Sequence, residues 1–231
     1  MSDKHQLRSQ RLNTTINTTS KKEDKQCLAV VNQVIENLSN EFGLNLCWQK
    51  RTFLNEIIDN VKLKYSKVSF ATTLKTSYMS PDGGITYLID KRGNKYPILI
   101  AEVKNQGTND LRVKEGLKKQ SLGNAVERLG KNVIGFKTLM LGEKIFPFIC
   151  FGDGCDFADG SSILDRVCTI AMFGELNTDN TFNAGPNGEF ARGSYYFREP
   201  KWTTKEMYER MYNVAKQSIL YYLKKYGKRN F

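Results

Sequence analysis

Apolar residues in the segment 26–42, QCLAVVNQVIENLSNEF, fall at Leu28, Val31, Val34, Ile35 and Leu38. Spacings of three and four put them on one stripe, which predicts an amphipathic helix. Residues 52–64 predict a second helix. Residues 123–141 predict a third, with Val126, Leu129, Val133, Phe136 and Met140 on one face. The strongest helical signal lies at 203–226. Thr203 or Thr204 can cap it, Glu206 sits in its first turn, and Tyr208, Tyr212, Ala215, Ile219, Tyr222 and Tyr226 recur at helical spacing. Strands are expected at 84–90 and 96–104 around the turn K-R-G-N, in the apolar run 145–154, and at 167–173. Strands interspersed with helices predict an α/β sandwich around a mixed sheet. No internal repeat or long linker divides the chain. The expected organisation is a polar, basic, mobile arm over 1–25 and a single domain over 26–231 that includes the helix 203–226.

Composition narrows the possibilities. The chain has 231 residues and 40% hydrophobic content, enough for one substantial core. Its net charge of +11 favours an acidic partner: nucleic acid, an anionic membrane surface or a polyanion. No apolar run approaches the ~20 residues of a membrane span, and the basic ends lack an apolar insertion face, so no membrane partner is expected. The N-terminal stretch lacks the apolar core of a secretory signal. The five cysteines form no C-x-x-C pair, which fits a reduced compartment. The single histidine, His5, lies in the arm. Chemistry built on a histidine triad or a His/Cys zinc site is therefore disfavoured. Carboxylates, lysine and a hard metal ion remain.

Those groups converge in residues 81–107, PDGGITYLIDKRGNKYPILIAEVKNQG. Along a strand at 96–104, side chains alternate, so Ile98, Ile100, Glu102 and Lys104 share one face. A three-residue loop, Arg92–Asn94, would pair Lys91 with Lys95 and carry Asp82 opposite Lys104. A two-residue loop would set Asp82 opposite Val103 instead. Two carboxylates at a sheet edge are suitable ligands for Mg²⁺, which prefers oxygen and binds phosphates. An adjacent lysine can hold or deprotonate an attacking water and stabilise charge on phosphorus. By itself the pattern also fits a plain turn beside a solvated edge-strand ion pair.

A second stretch, S-L-G-N-A-V-E-R at 121–128, opens the third predicted helix. Asn can pair with adenine N6 and N7, a carboxylate accepts from exocyclic amines, and Arg donates to purine N7 or guanine O6. The same residues also suit an ordinary helix start with Asn124 as its cap.

Together the two stretches resemble the EcoRI family of type II restriction endonucleases, built on the PD-(D/E)xK nuclease core. The P-D-G-G segment of that family matches Pro81, Asp82, Gly83 and Gly84. Its A-E-x-K-x-Q-G segment matches Ala101, Glu102, Lys104, Gln106 and Gly107, and G-N-A-x-E-R matches Gly123, Asn124, Ala125, Glu127 and Arg128. Weaker similarity runs through 38–42, 146–157 and 161–166, so it covers most of 30–170. The resemblance implies a restriction-endonuclease-like three-layer α/β/α sandwich around a mixed β-sheet. It implies a cytoplasmic bacterial enzyme, a homodimer that cuts palindromic double-stranded DNA with Mg²⁺, and a cognate methyltransferase on a separate chain. Asp82 and Glu102 would bind the metal with the Val103 carbonyl, and Lys104 would serve the attacking water. Gly123, Asn124, Ala125, Glu127 and Arg128, with Gln106 and Arg166, would contact DNA. Two members of the family share both the G-N-A-x-E-R segment and a central AATT, so a site containing AATT is expected. Departures from the family pattern leave the outer base pair open. Thr169 stands where a second arginine follows Arg166, and the stretches 108–120 and 158–161 are short. Two other functions fit the same charge: a sequence-specific DNA-binding protein without catalysis, and a structure-specific repair nuclease on the same core.

Overall fold

The computed structural model describes residues 16–231 apart from 106, 115 and 119–122, and the side chains of 22–104, 109, 110, 112–114, 116–118 and 126–231. The expected arm therefore lies outside the described residues up to position 15. From Ile16 onward the chain is helical. Helix α1 (Ile16–Phe42) begins ten residues before the predicted stripe and takes in the charge run K-K-E-D-K.

After α1 come strand β1 (Leu46–Gln49), the short β2 (Thr52–Phe53), helix α2 (Leu54–Lys64) and the short β3 (Tyr78–Met79), which pairs with β2. Strands β4 (Gly84–Ile89) and β5 (Lys95–Asn105) form the predicted hairpin. Helices α3 (Gly107–Lys114) and α4 (Gly123–Leu139) lead to β6 (Phe148–Asp153), then α5 (Ser162–Ile170), β7 (Ser194–Arg198) and α6 (Thr204–Tyr226). The main sheet runs β1-β4-β5-β6-β7. β4 runs antiparallel to both of its neighbours, β1 and β5, while β5, β6 and β7 are parallel. It is a mixed sheet flanked by helices, the expected restriction-endonuclease-like α/β fold.

Helices α1 and α6 pack against each other and onto β5. The buried face of α6 is Met207, Met211, Val214, Ala215, Ser218, Ile219 and Tyr222. The predicted stripe on α6 is rotated at its start. Tyr208 and Tyr212 are half-buried, and their hydroxyls meet Asn37 and Glu41 of α1. Methionine fills the interior because it is unbranched and wholly apolar, whereas tyrosine keeps its hydroxyl at the rim. On the other side of the sheet, Phe136 of α4 packs on Phe148 of β6 with ring centres 6.1 Å apart. The register sets Ile100, Glu102 and Lys104 beside Phe148, Cys150 and Gly152.

Two expectations are corrected. Residues 167–173 are not a strand. Their first part ends α5, whose Ile163 and Val167 are buried one turn apart and whose start is capped by the Ser161 side chain. The β-branched and apolar run imitates a strand, but Met172 and Phe173 adopt φ of 51° and 56° and turn the chain away. The hairpin register is also shifted. The Asp90 carboxylate accepts from the Arg92 and Asn94 amides at 2.9 and 2.8 Å, so the loop closes at Asp90–Asn94 rather than Lys91–Lys95. Farther along, Thr86 faces Leu99 while Tyr87 faces Pro97, leaving Ile98 in a bulge. Pro97 has no N–H to donate to the ladder, which favours a bulge there. Glu102 and Lys104 keep a common face, and Asp82 reaches them by a different route.

Candidate active site

The approach of Asp82 depends on the turn Pro81–Gly84. The Gly84 amide donates to the Pro81 carbonyl at 2.9 Å, and Gly84 has φ of +74°, a conformation open to glycine. The turn breaks the pleat just before β4. With the observed register, regular pairing would set Asp82 level with Val103 and away from Glu102. Instead the Asp82 backbone amide donates to Glu102 Oε2 at 3.3 Å, and Asp82 Oδ2 accepts from the Val103 amide at 3.1 Å. Gly83 is squeezed beneath: a Cβ there would lie 2.7 Å from Ala101 Cβ and 2.8 Å from Cys27 Sγ.

Three oxygens surround the Lys104 ammonium. It donates to Glu102 Oε1, it donates to the Val103 carbonyl at 3.1 Å, and it lies 3.6 Å from Asp82 Oδ2. The cluster sits at the C-terminal end of β5, where the parallel strands meet solvent. Glu102 is only 2% exposed. Burial pushes its carboxyl up to about 7, with the Lys104 ammonium pulling it down and the Asp82 carboxylate pushing it up. Burial opposes the charge on Lys104, but Glu102 and Asp82 outweigh it and raise its pKa, so it remains an ammonium. Cys27 and Cys150 lie behind the cluster, and burial pushes both thiols up, which keeps them protonated and inert.

Beside Lys104 opens a cleft of about 490 Å³, lined among others by Lys22, Glu23, Asp153, Lys201 and Trp202. Glu23 and Asp24 come from the charge run read as part of a mobile arm, and Asp153 ends β6. Burial raises the pKa of each, and the Asp82 carboxylate adds to the rise at Asp24. Sequence reasoning missed these residues. Only the packing of α1 on β5 brings a surface-like K-K-E-D-K run beside residues distant in the chain.

The DNA-reading candidates lie apart from this cluster in the chain. Glu127 and Arg128 are exposed near the start of α4, and Arg166 is exposed on α5. The backbone of Gly123, Asn124 and Ala125 forms the first turn of α4. Gln106 lies outside the described residues.

A mixed sheet of this order, with two carboxylates and a lysine gathered at the end of its central strand, defines the restriction-endonuclease fold class. The family model for restriction endonuclease EcoRI matches residues 9–229. The type II restriction enzyme RsrI of Cereibacter sphaeroides is 31% identical over 235 residues, covering 87% of this chain and 84% of its own length. The type II restriction enzyme EcoRI of Escherichia coli is 28% identical over 219 residues, with 79% of each chain covered. The chain belongs to the EcoRI restriction endonuclease family, and it is a type II site-specific deoxyribonuclease.

Restriction endonucleases of this family are typically metal-dependent. The donor set fits a hard cation. The two carboxylates and the Val103 carbonyl already converge on one positive charge, the Lys104 ammonium. Mg²⁺ is commonly held by one or two carboxylates and keeps several waters, so no third acidic ligand is required. Among the described residues no helix is long and apolar enough to cross a membrane.

Proposed function

We propose that the chain makes Mg²⁺-dependent double-strand cuts in DNA at a short palindromic site containing AATT, acting as a homodimer. The observation that carries this reading is the convergence of Asp82, Glu102 and the Val103 carbonyl on a single cation at the mouth of a cleft. Asp82 and Glu102, with that carbonyl, are the residues that would hold Mg²⁺. A metal ion held there would contribute positive charge that favours attack on the phosphate. Lys104 is held protonated by its two carboxylates, which makes it a donor that orients the attacking water and faces the developing charge. Water adds to phosphorus and one ester P–O bond breaks, leaving a phosphate monoester and a hydroxyl.

Base reading falls to the start of α4. Asn124 would face adenine, Glu127 would accept from an exocyclic amine, and Arg128 would donate to a purine edge. Ala125 and Gly123 would allow close approach of the helix, while Gln106 and Arg166 add DNA contacts. The exposure of Glu127 and Arg128 supports this role, since neither is spent on the core. A two-fold dimer matches a palindromic site. A separate methyltransferase of the same specificity would protect host DNA. Sequencing the ends of fragments cut from unmethylated phage DNA tests the site. Ends that all derive from one sequence containing AATT are expected. Ends from unrelated sequences would refute the assignment of Gly123–Arg128.

A further inference from the structure

Trp48 stands on edge strand β1, paired with Thr86, and is 36% exposed. A tryptophan so placed contributes only part of its surface to the core, yet its polar edge is committed inward. Its Nε1–H donates to the Gly83 carbonyl at 2.9 Å. The same ring edge lies against Gly84, where a Cβ would come within 2.3 Å of Nε1. The indole therefore grips both glycines of the turn that aims Asp82. From the other side Gly83 is fixed by its amide, which donates to the Ala101 carbonyl at 2.9 Å. Two consecutive glycines rotate freely, so the geometry of a turn made of them depends on the contacts that hold it.

We propose that Trp48 is a positioning residue of the active site: by fixing the Gly83–Gly84 peptide it sets where the Asp82 carboxylate sits relative to Val103 and Lys104. The proposal rests on the reading of Asp82 as a metal ligand. Without the indole N–H, the Gly83 carbonyl loses its anchor and the Gly83–Gly84 peptide is held only through its flanking amide bonds to Ala101 and Pro81. Asp82 Oδ2 then leaves its place beside the Val103 amide, and the oxygen set spreads. Partners that orient a metal ligand typically matter by ~10–100-fold in affinity.

Phenylalanine at position 48 keeps an aromatic ring and removes the donor. The experiment compares full-length wild type, Trp48→Phe and Asp82→Asn, with Mn²⁺ as the probe and free Mn²⁺ read by electron paramagnetic resonance. Trp48→Phe is expected to raise the half-saturating Mn²⁺ concentration by about tenfold. Cleavage should fall at limiting metal and recover at saturating metal, with metal-free DNA affinity unchanged. Wild-type Mn²⁺ affinity in Trp48→Phe, beside lost affinity in Asp82→Asn, would overturn the role of Trp48 alone. Wild-type affinity in Asp82→Asn would overturn the reading of the site itself. If Trp48→Phe lowers Tm, the Mn²⁺-induced rise in Tm over its own metal-free baseline decides. A rise smaller than that of wild type supports the proposal, and an equal rise defeats it.

Discussion

Glu102 has the most demanding environment of any residue in the site. A carboxylate that is 2% exposed costs several kcal/mol to ionise unless a cation stands against it, and Lys104 is that cation. Because the folded carboxyl ionises near 7 and the unfolded one near 4.5, the folded state holds its proton longer. Between those values stability falls as pH rises. Lys104→Ala removes the group that pulls the Glu102 pKa down, so this loss should deepen and extend to higher pH. In metal-free buffer the Tm deficit of Lys104→Ala should be small at pH 5. It should reach the equivalent of about 3–5 kcal/mol above pH 7, the usual effect of stranding one member of a buried pair. Parallel Tm profiles for wild type and variant across that range would show that Lys104 does not neutralise Glu102.

At the level of elements, α6 has the best-defined start. The Thr203 side chain accepts from the Glu206 amide, and the Glu206 carboxylate accepts from the Thr203 amide at 2.9 Å, a reciprocal capping box. Arg198 adds two bonds to the Glu206 carboxylate, at 2.8 and 2.7 Å. Hydrogen bonds from Arg198, then from Thr203, hold the Glu206 carboxyl down to about 2. A depressed pKa gives stability that is fully present above the unfolded value near 4.5 and is lost as pH falls toward 2. Thr203→Ala should cost about 1 kcal/mol in denaturant unfolding at neutral pH. A cost indistinguishable from zero would mean that Arg198 alone organises this helix start. The same capping signal was legible in the sequence, because Thr and Glu three residues apart determine a local geometry. The common face of Glu102 and Lys104 was legible for a similar reason, since a strand alternates whatever its partner does. The register of β4 on β5 was not. It depends on the Asp90 carboxylate closing the loop one residue early and on Pro97 forcing a bulge. Helix α5 was misread because V-C-T-I-A carries strand propensity, while its cap and the packing of Ile170 against Gly130 of α4 decide for a helix. The start of α1 was hidden by its charge run, of which Lys22 and Glu23 line the cleft once the fold has formed.

For the molecule as a whole, the net charge of +11 outweighs the local acidity of the active site. DNA affinity should therefore be dominated by displaced counterions. For 6–10 phosphate contacts, affinity is expected to fall by about 10³–10⁵ between 50 and 200 mM salt, on a straight line of log K against log salt. A shallow slope would place most of the basic surface away from DNA. The cleft beside Lys104 opens next to α1 and α6, which pack together on β5. In the proposed function this cleft houses the reaction, and Asp82, Glu102 and Lys104 carry it. The most direct test incubates wild type and Lys104→Ala with Mg²⁺ and long unmethylated DNA, resolves the products on a gel, and measures DNA binding of both without metal. Discrete fragments from wild type, with intact DNA and undiminished binding in Lys104→Ala, are predicted. Fragments of the same sizes from Lys104→Ala would place the chemistry elsewhere in the protein.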